Sequence, residues 1–447
     1  MAALLRTPPR IPMTFLLSRI QAFFFAPRSA TGFGLMRILW GSITFVSLLM
    51  QWHDVSRFYS DAGALPMSLA PAILRWDWRF SLLDVVTSPN AVFALYLLLL
   101  GLLLLATAGW KARWTVVASA LLLFSFHERN PLMLAGGDTL LRALGFLLMI
   151  SPGIEALSVD RIGAQWQHWK KDRTLLPPVM MPAWPLRLLL WQFIVLYGTA
   201  VWYKLLGTMW LSGSAVGIVL HHPMFAGAPR PLMDVLSVFS TQLAYGTILF
   251  HLSWLLLLIP ESLLKQAGVR KGRLKRWILC AGLLFHGSIF LLLHVGSFSF
   301  AIFAGYAGLL DGEDIEVLRR LFAGRSKRMI AVLYDGHCGL CLRSIFTLSL
   351  LDAFRRLEPV NFWNRIAKNK VAPRVSEEQL NRALHIKRSG RFWQGFDAFR
   401  ELTWELPALW IVAPFLYIPG VAPVGRLIYG YIAQKRERCD HKTCGIL

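Results

Sequence analysis

Long apolar stretches occupy most of the first 310 residues of this 447-residue chain. A helix that crosses a bilayer needs about 20 mainly apolar residues. Because such a helix satisfies its own backbone hydrogen bonds, the pattern predicts a polytopic α-helical membrane bundle of about eight spans. The eight stretches are 34–52, 91–109, 113–127, 138–152, 185–206, 240–259, 277–294 and 296–310.

Charge is distributed unevenly along the chain. Only 16% of residues are charged, against about 25% in ordinary soluble domains, and the net charge is +22. In a membrane protein such a surplus indicates cationic cytoplasmic loops rather than a nucleic-acid partner, so we expect no nucleic acid. Half of the charged residues fall in the last 137. We therefore expect two domains, a membrane bundle over 1–310 and a soluble domain over 328–447.

The loops between the apolar stretches give an orientation. With the N-terminus inside, inner segments hold sixteen Lys and Arg residues and outer loops hold five. Cytoplasmic loops carry the excess of Lys and Arg. The sequence thus predicts an integral protein of the cell inner membrane, whose N-terminus and C-terminal domain are cytoplasmic.

Lys204 is the most conspicuous charged residue within an apolar stretch. It lies among Tyr197, Trp202, Tyr203 and Trp210. A lysine removed from water there loses affinity for its proton and can act as a base or nucleophile. The alternative is an anchor lysine in a belt of interfacial aromatic residues.

Other titratable residues also lie within the apolar stretches, where charge is costly and marks candidate sites. They are Arg37, Arg142, His251, His286 and His294. For the two arginines we favour a structural role, reaching the interface or pairing with a carboxylate such as Asp138. The histidines are either hydrogen-bonding residues between helices or part of a binding site.

Four segments resemble the HTTM family, the membrane module related to vitamin K-dependent γ-glutamyl carboxylase. They are FFFAPRSATGFGLMRILWG, HERNPLMLAGGDTLLRALGFLLMISP, LYGTAVWYKLLGTMWLSGSAV and FHGSIFLLLHVGSFSF. The resemblance covers most of 15–310 and implies that Lys204 is the catalytic lysine. The carboxylase has a large luminal part that this chain lacks, so carboxylation of protein glutamates does not follow.

A quinone is the candidate cofactor of the bundle, because a lipid-soluble carrier suits the resemblance. We expect an apolar pocket bordered by Lys204 and at least one histidine of the later spans. The candidate residues for orienting the quinone are His251, His286, His294 and Asn130.

The segment MIAVLYDGHCGLCLRSIFTLSLLDAF contains a Cys-x-x-Cys motif, Cys338 to Cys341. An apolar, β-branched strand ends at Tyr334, Asp335 and Gly336 make a turn, and a helix follows. A helix N-terminus favours a thiolate, and the second cysteine can resolve a mixed disulfide formed by the first. We expect Cys338 to be exposed and to attack, Cys341 to resolve, and Asp335 to set the turn.

The alternative for this motif is half of a zinc site, completed by Cys439 and Cys444 with His337 or His441 nearby. Zinc-binding pairs usually lie some 12–20 residues apart, whereas 98 residues separate Cys341 from Cys439. The spacing favours a redox dithiol, and we assign no metal ligands.

Residues 328–445 are similar to the DCC family of thiol-disulfide oxidoreductases, whose hallmark is Tyr-Asp-Gly-x-Cys-x-Leu-Cys. This chain matches it from Tyr334 to Cys341. The resemblance implies a small α/β thioredoxin-like fold and disulfide reductase activity toward a protein disulfide or small thiol substrate, with no cofactor required for the dithiol. Further strands are expected at EPVNFW and in a hairpin around Ser389-Gly390, and helices at FDAFRELTWEL and GRLIYGYIAQKRERC.

Three functions follow from these features. The first is a membrane-anchored thiol-disulfide oxidoreductase whose bundle anchors the dithiol domain or is coupled to it. The second is a carboxylase-like or quinone-using membrane enzyme with Lys204 as the base. The third is a non-enzymatic membrane anchor with a zinc-stabilised tail.

Overall fold

The computed structural model describes residues 13–74, 80–323 and 329–435. Within these ranges the chain forms 22 α-helices and six short strands. The chain divides into two compact units. The first holds the described residues of 1–162 and 178–314, and the second those of 163–177 and 315–447.

The first unit is helical apart from one small ribbon, in which β1 (Pro27–Ser29) pairs antiparallel with β2 (Met180–Pro182). Short 3-10 turns cover Trp52–Asp54, Leu82–Asp84, Pro131–Met133 and Trp254–Leu258. The helices, of which α8 and α17 continue into the second unit, are α1 (Met13–Phe25), α2 (Thr31–Leu49), α3 (Val55–Tyr59), α4 (Ala70–Leu74), α5 (Pro89–Ala108), α6 (Ala112–Arg129), α7 (Gly136–Ile150), α8 (Val159–Asp172), α9 (Trp184–Leu206), α10 (Thr208–Leu211), α11 (Ala215–His221), α12 (Arg230–Val238), α13 (Ser240–Ser253), α14 (Glu261–Gln266), α15 (Lys271–Leu292), α16 (Phe298–Gly308) and α17 (Gly312–Ala323).

Five helical segments of the described chain are long and apolar enough to cross a membrane. They are α2, α5, α9, α15 and Ser240–Leu258, which joins α13 to the following 3-10 turn. The prediction of eight spans is therefore not confirmed. The other three stretches are helical, but α6 includes three charged residues, α7 has 15 residues and α16 has 11.

Helix α2 lies at the centre of the first unit's core. Phe33, Met36 and Trp40 follow helical spacing on one face and are fully buried. Their cluster includes Leu103 of α5 and Leu144 of α7. The indole of Trp40 donates a hydrogen bond to the carbonyl of Leu141 at 2.8 Å, so even the polar atom of this core residue has a partner.

Arg37, on the same helix, is fully buried and donates hydrogen bonds to five backbone carbonyls. Two of them, Ala106 and Thr107, belong to the C-terminal end of α5, where helical carbonyls lack partners. The other acceptors are Ile154 at 2.9 Å, Ala156 at 3.4 Å and Leu157 at 2.9 Å. The side chain thus ties α2 to α5 and to the loop after α7.

Arg142 also has a structural partner, although a different one from the carboxylate suggested by the sequence. Its guanidinium lies 2.7 Å from the carboxylate of Glu128 and stacks over the ring of Phe124. Asp138 instead accepts a hydrogen bond from the backbone of Ala135 at the start of α7.

The second unit contains a four-stranded sheet in the order β4-β3-β5-β6. Strand β3 (Ile330–Tyr334) pairs parallel with β4 (Leu357–Asn361) and antiparallel with β5 (His385–Arg388), and β5 forms a hairpin with β6 (Arg391–Gln394). The other elements are α18 (Gly339–Leu351), α19 (Arg365–Val371), α20 (Glu377–Arg382), α21 (Gly395–Glu405), α22 (Val421–Gln434) and 3-10 turns over Pro407–Leu409 and Ala413–Tyr417.

The hairpin expected around Ser389-Gly390 is confirmed. Both turn residues have positive φ, 52° and 84°, which is the conformation of the two-residue turn that matches strand twist. The strand in EPVNFW and the helices at FDAFRELTWEL and in the tail are present as β4, α21 and α22.

Residues 163–177, which separate two of the long apolar stretches, belong to the second unit. Trp169 is 3% exposed and is part of the core that contains β3, α18 and α21. The ring centroids of Trp166 and Trp169 lie 4.9 Å and 5.9 Å from that of Phe346 on α18. The core of the second unit is therefore built from two segments that are distant in sequence.

Replacing Arg37 with Met should destabilise the protein strongly. Three buried and two partly buried carbonyls would lose a charged donor, and an unsatisfied buried polar group costs about 1–3 kcal/mol. We expect the apparent melting temperature of the purified protein in detergent to fall by about 5 °C or more. Arg57→Met is the control, because the side chain of Arg57 is exposed and its contact with Asp54 is a long surface ion pair of 3.8 Å. Equal losses in the two variants would contradict the role given to Arg37.

Candidate functional site

The Cys-x-x-Cys motif lies where β3 leads into α18. All five residues of β3 are buried, and Cys338 is the N-cap residue of α18. Its Sγ accepts a hydrogen bond from the backbone N–H of Cys341 at 3.3 Å. An N–H donor at the positive end of a helix stabilises a sulfur anion. The geometry therefore favours thiolate chemistry at Cys338.

Asp335 holds the turn before the motif. One oxygen of its carboxylate accepts hydrogen bonds from the backbone N–H of His337 at 2.9 Å and from the indole Nε1–H of Trp363 at 2.7 Å. Its backbone carbonyl accepts the N–H of Cys338 at 3.4 Å. The side chain is 4% exposed. The carboxylate of Asp335 thus joins the turn before the motif to Trp363, which lies just after β4.

Asn361 and Trp363 complete this turn, and sequence reasoning did not single them out. The Oδ1 of Asn361 accepts the backbone N–H groups of Gly336 at 3.2 Å and Trp363 at 3.2 Å. A side chain at Gly336 would collide with Asn361. The position of Asn361 and Trp363 at the end of the strand expected in EPVNFW could have identified them, because the carboxyl ends of adjacent parallel strands meet at one edge of a sheet.

The expectation that Cys338 is the exposed thiol is wrong. Cys338 is 1% exposed, and Cys341 is 8% exposed. The physical reason is the capping geometry, which turns the sulfur of Cys338 back over the first turn of α18 toward the N–H of Cys341. The sulfur that stabilises the helix terminus is thereby directed away from solvent.

Tyr334 brings no charge to the end of β3. Burial raises the pKa of its hydroxyl above the ordinary value, so the phenol stays protonated near pH 7. The groups that bring charge or a dipole close to the dithiol include the Asp335 carboxylate and the terminus of α18.

Residues 332–442 match the DCC1-like thiol-disulfide oxidoreductase family. The DCC1-like region includes the dithiol, the sheet and α22. Comparisons with curated proteins and with solved structures gave no match. No match to the HTTM family was found, so the resemblance of 15–310 to that family stays a prediction.

The first unit contains an apolar cavity of about 570 Å³. Lys204, His251 and His286 all line it, together with Tyr197 and Trp210. The pocket expected from the sequence is therefore present. The Nζ of Lys204 lies 4.6 Å from the ring centroid of Trp210, which is the distance of a cation–π contact.

Hydrogen bonds connect His286 to two tyrosines. Its Nε2 lies 2.8 Å from the hydroxyl of Tyr197, which lies 2.5 Å from the hydroxyl of Tyr306. The Nδ1 atoms of His251 and His286 are buried and have no hydrogen-bond partner within the described chain. Buried polar atoms of this kind are candidates for contact with a ligand.

The remaining candidate residues do not line this cavity. His294 is exposed, and its backbone N–H donates to the carbonyl of Phe225. Asn130 is buried near the end of α6, where its Nδ2 donates to the carbonyl of Phe58 at 2.9 Å. The role of Tyr306 was missed, although a tyrosine within an apolar helix is itself a signal of a buried polar contact.

Among residues 13–74, 80–323 and 329–435, no three His, Cys, Asp or Glu side chains gather as a metal site. Cys439, His441 and Cys444 lie outside the described residues.

Replacing Asp335 with Ala should make Cys338 more reactive toward alkylating reagents. The change removes the acceptor for His337 and Trp363, so the turn that covers the sulfur loosens. We expect a several-fold faster reaction of Cys338 with iodoacetamide, measured by peptide mass spectrometry. Trp363→Phe removes one of the two hydrogen bonds and should give a smaller increase. An unchanged rate in Asp335→Ala would refute this role of the carboxylate.

Proposed function

We propose that this protein is a membrane-anchored thiol-disulfide oxidoreductase that uses the Cys338–Cys341 dithiol. The observation that carries the proposal is the position of the Cys338 sulfur at the N-terminus of α18, where the N–H of Cys341 donates to it. The family match of residues 332–442 supports the same chemistry. The substrate is a protein disulfide or a small disulfide, and the dithiol itself requires no cofactor.

The reaction proceeds in two exchanges. The Cys338 thiolate attacks one sulfur of the substrate disulfide, forms a mixed disulfide and releases the other sulfur as a thiolate. Cys341 then attacks the Cys338 sulfur and releases the second substrate thiolate. The dithiol loses two electrons to the substrate, and its two protons end on the two product thiols.

The strand order supports a thioredoxin-like fold for the second unit. Strand β3, helix α18 and strand β4 form a βαβ unit, and the β5–β6 hairpin extends the sheet on the other side of β3. The motif lies at the first turn from strand to helix, as in a thioredoxin-like redox site.

The core of the second unit supports an even number of membrane crossings between its two segments. Trp169 and Phe346 share this core, so residues 163–177 and the dithiol region lie on one side. Three helical segments that lie between these two regions in sequence are long enough to cross the membrane. Three crossings would place the two regions on opposite sides, because each crossing changes the side. We infer that α16 completes a fourth crossing within the bundle, where a short helix is tolerated because neighbouring protein satisfies its ends. The charge bias makes this side cytoplasmic.

A second candidate function is a carboxylase-like or quinone-using reaction in the bundle. It is favoured by the cavity that brings Lys204, His251 and His286 together. Its volume of about 570 Å³ suits a small organic ligand. Lys204 would act as the base, and the histidines would orient the head group of a quinone. Coupling between this cavity and the dithiol would require the quinone to diffuse through the bilayer.

Cys338→Ser should abolish reduction of a soluble disulfide by the full-length protein, because no thiolate remains at the helix terminus. Cys341→Ser should accumulate a mixed disulfide on Cys338, because the resolving thiol is absent. Both are measured by thiol release and intact-protein mass spectrometry. Cys280→Ser is the control, since that residue lies on α15, far along the chain from the motif. Unchanged turnover in Cys338→Ser would overturn the proposal. Bound zinc in the purified protein, lost with Cys338→Ser, would favour the zinc-stabilised anchor instead.

Reporter fusions should place the segment after Asp172 and the segment after Leu310 on the same side of the membrane. A reporter within 221–233 should lie on the opposite side, because one crossing separates it from α8. Paired fusions with a phosphatase and a fluorescent protein give the side of each segment. Opposite sides for the first two positions would refute the fourth crossing and the shared core.

If the cavity binds a quinone that oxidises the dithiol, a lipid-soluble quinone added to liposomes should convert Cys338 and Cys341 to a disulfide. Lys204→Ala should slow this conversion at least tenfold, since the cavity loses the amine of Lys204. Trp114→Ala is the control, because its side chain is 74% exposed and outside the cavity. If added quinone leaves the redox state of Cys338 and Cys341 unchanged, the bundle serves as an anchor alone.

A further inference from the structure

A second apolar cleft lies beside the dithiol, within the second unit. Its volume is about 420 Å³, within the range of small-molecule sites. Cys341 is part of the wall, whereas Cys338 is not. The other lining residues include Leu340 and Ser344 of α18, Phe396 and Phe399 of α21, and Ile428 and Ile432 of α22. The resolving thiol of the proposed reaction therefore borders a space lined mainly by apolar side chains.

The polar groups in the wall of this cleft already have partners. The hydroxyl of Ser344 donates to the carbonyl of Leu340 at 2.9 Å. The backbone N–H of Leu384 donates to the hydroxyl of Tyr429 at 2.8 Å. A bound polypeptide would bring its own N–H and C=O groups, which need partners when they leave water. The cleft suits an alkyl group better than a peptide backbone.

The outer wall of the cleft is an exposed apolar surface. Ile428 and Ile432 line the cleft and are 56% and 47% exposed, and Leu427 and Tyr431 on the same helix are 76% and 60% exposed. The apolar surface of this helix therefore adjoins the cleft, since two of its exposed isoleucines also line it. Exposed apolar patches of this kind commonly mark binding sites.

We propose that the dithiol acts on small lipophilic disulfides, whose alkyl group is bound in this cleft. The inference rests on the proposed function and adds the substrate class. Cys338 forms the mixed disulfide with the alkyl-bearing sulfur and releases the other sulfur as a thiolate. Cys341, which borders the bound alkyl chain, attacks the Cys338 sulfur and releases the alkyl thiolate. The dithiol is reduced again by a dithiol reductant.

The test uses the pre-reduced full-length protein in detergent and a series of alkyl 2-pyridyl disulfides with methyl, butyl and octyl chains. Release of 2-thiopyridone reports the first exchange, and the rate of a Cys338→Ser, Cys341→Ser double variant is subtracted. Each methylene buried in the cleft can raise the rate up to about fourfold. We expect the octyl compound to react at least tenfold faster than the methyl compound.

A matched pair of variants separates binding in the cleft from partition into detergent. Ser344 lines the cleft, so Ser344→Leu should fill it, whereas Thr347 lies on the same helix outside the cleft. Thr347→Leu is the matched control, because each hydroxyl donates to the carbonyl four residues earlier. We expect the octyl-to-methyl rate ratio to fall below about threefold in Ser344→Leu and to persist in Thr347→Leu, because partition is the same in both.

Failure of the inference differs from failure of the proposed function. If the wild type reacts no faster than the double variant with any of the compounds, the proposed function fails. If it reacts but the ratio is near one, or is the same in Ser344→Leu, the substrate class fails and the oxidoreductase function stands. A hydrophobic cysteinyl-peptide disulfide that outpaces the octyl compound would assign the cleft to a polypeptide and overturn the inference.

Discussion

The first unit depends on a buried guanidinium that has five backbone carbonyls as its partners. Arg37 places a charge where water is absent, and the carbonyls at the end of α5, which have no partner within their own helix, are what make that position tolerable. Lysine has no planar fork that could reach several carbonyls at once. Helix α2 can lie at the centre of the bundle because this polar contact fixes its rotation, so that Phe33, Met36 and Trp40 face the core.

The dithiol likewise depends on polar side chains that bind backbone groups, here those of a single turn. Asp335 follows β3 and Asn361 is the last residue of the parallel strand β4, and each accepts an N–H group from the turn between β3 and α18. The same turn then presents the sulfur of Cys338 to the N–H of Cys341 in the first turn of the helix. Strand pairing, rather than the motif alone, brings together the groups that shape the thiol's surroundings.

Local sequence patterns predicted much of the second unit and less of the first. The β3–turn–α18 unit, the hairpin at Ser389-Gly390 and the terminal helix followed from periodicity and turn chemistry, because their determinants are neighbours in sequence. The buried state of Cys338, the contact between Asp335 and Trp363 and the place of Trp169 depend on residues brought together by tertiary folding. The cavity around Lys204 was expected because charge is rare in apolar helices, whereas Tyr306, which bonds to Tyr197 in the cavity wall, carries no charge and gave a weaker signal.

The split core of the second unit has a consequence for synthesis. Trp166 and Trp169 leave the ribosome well before Phe346, their packing partner. At ordinary rates of translation the interval is roughly 10–35 s, during which the eight helices α9 to α16 of the first unit are made. The two indoles therefore cannot pack against Phe346, and the core of the second unit cannot close, until the last quarter of the chain has emerged. Folding of that core is in this way timed to follow synthesis of the first unit.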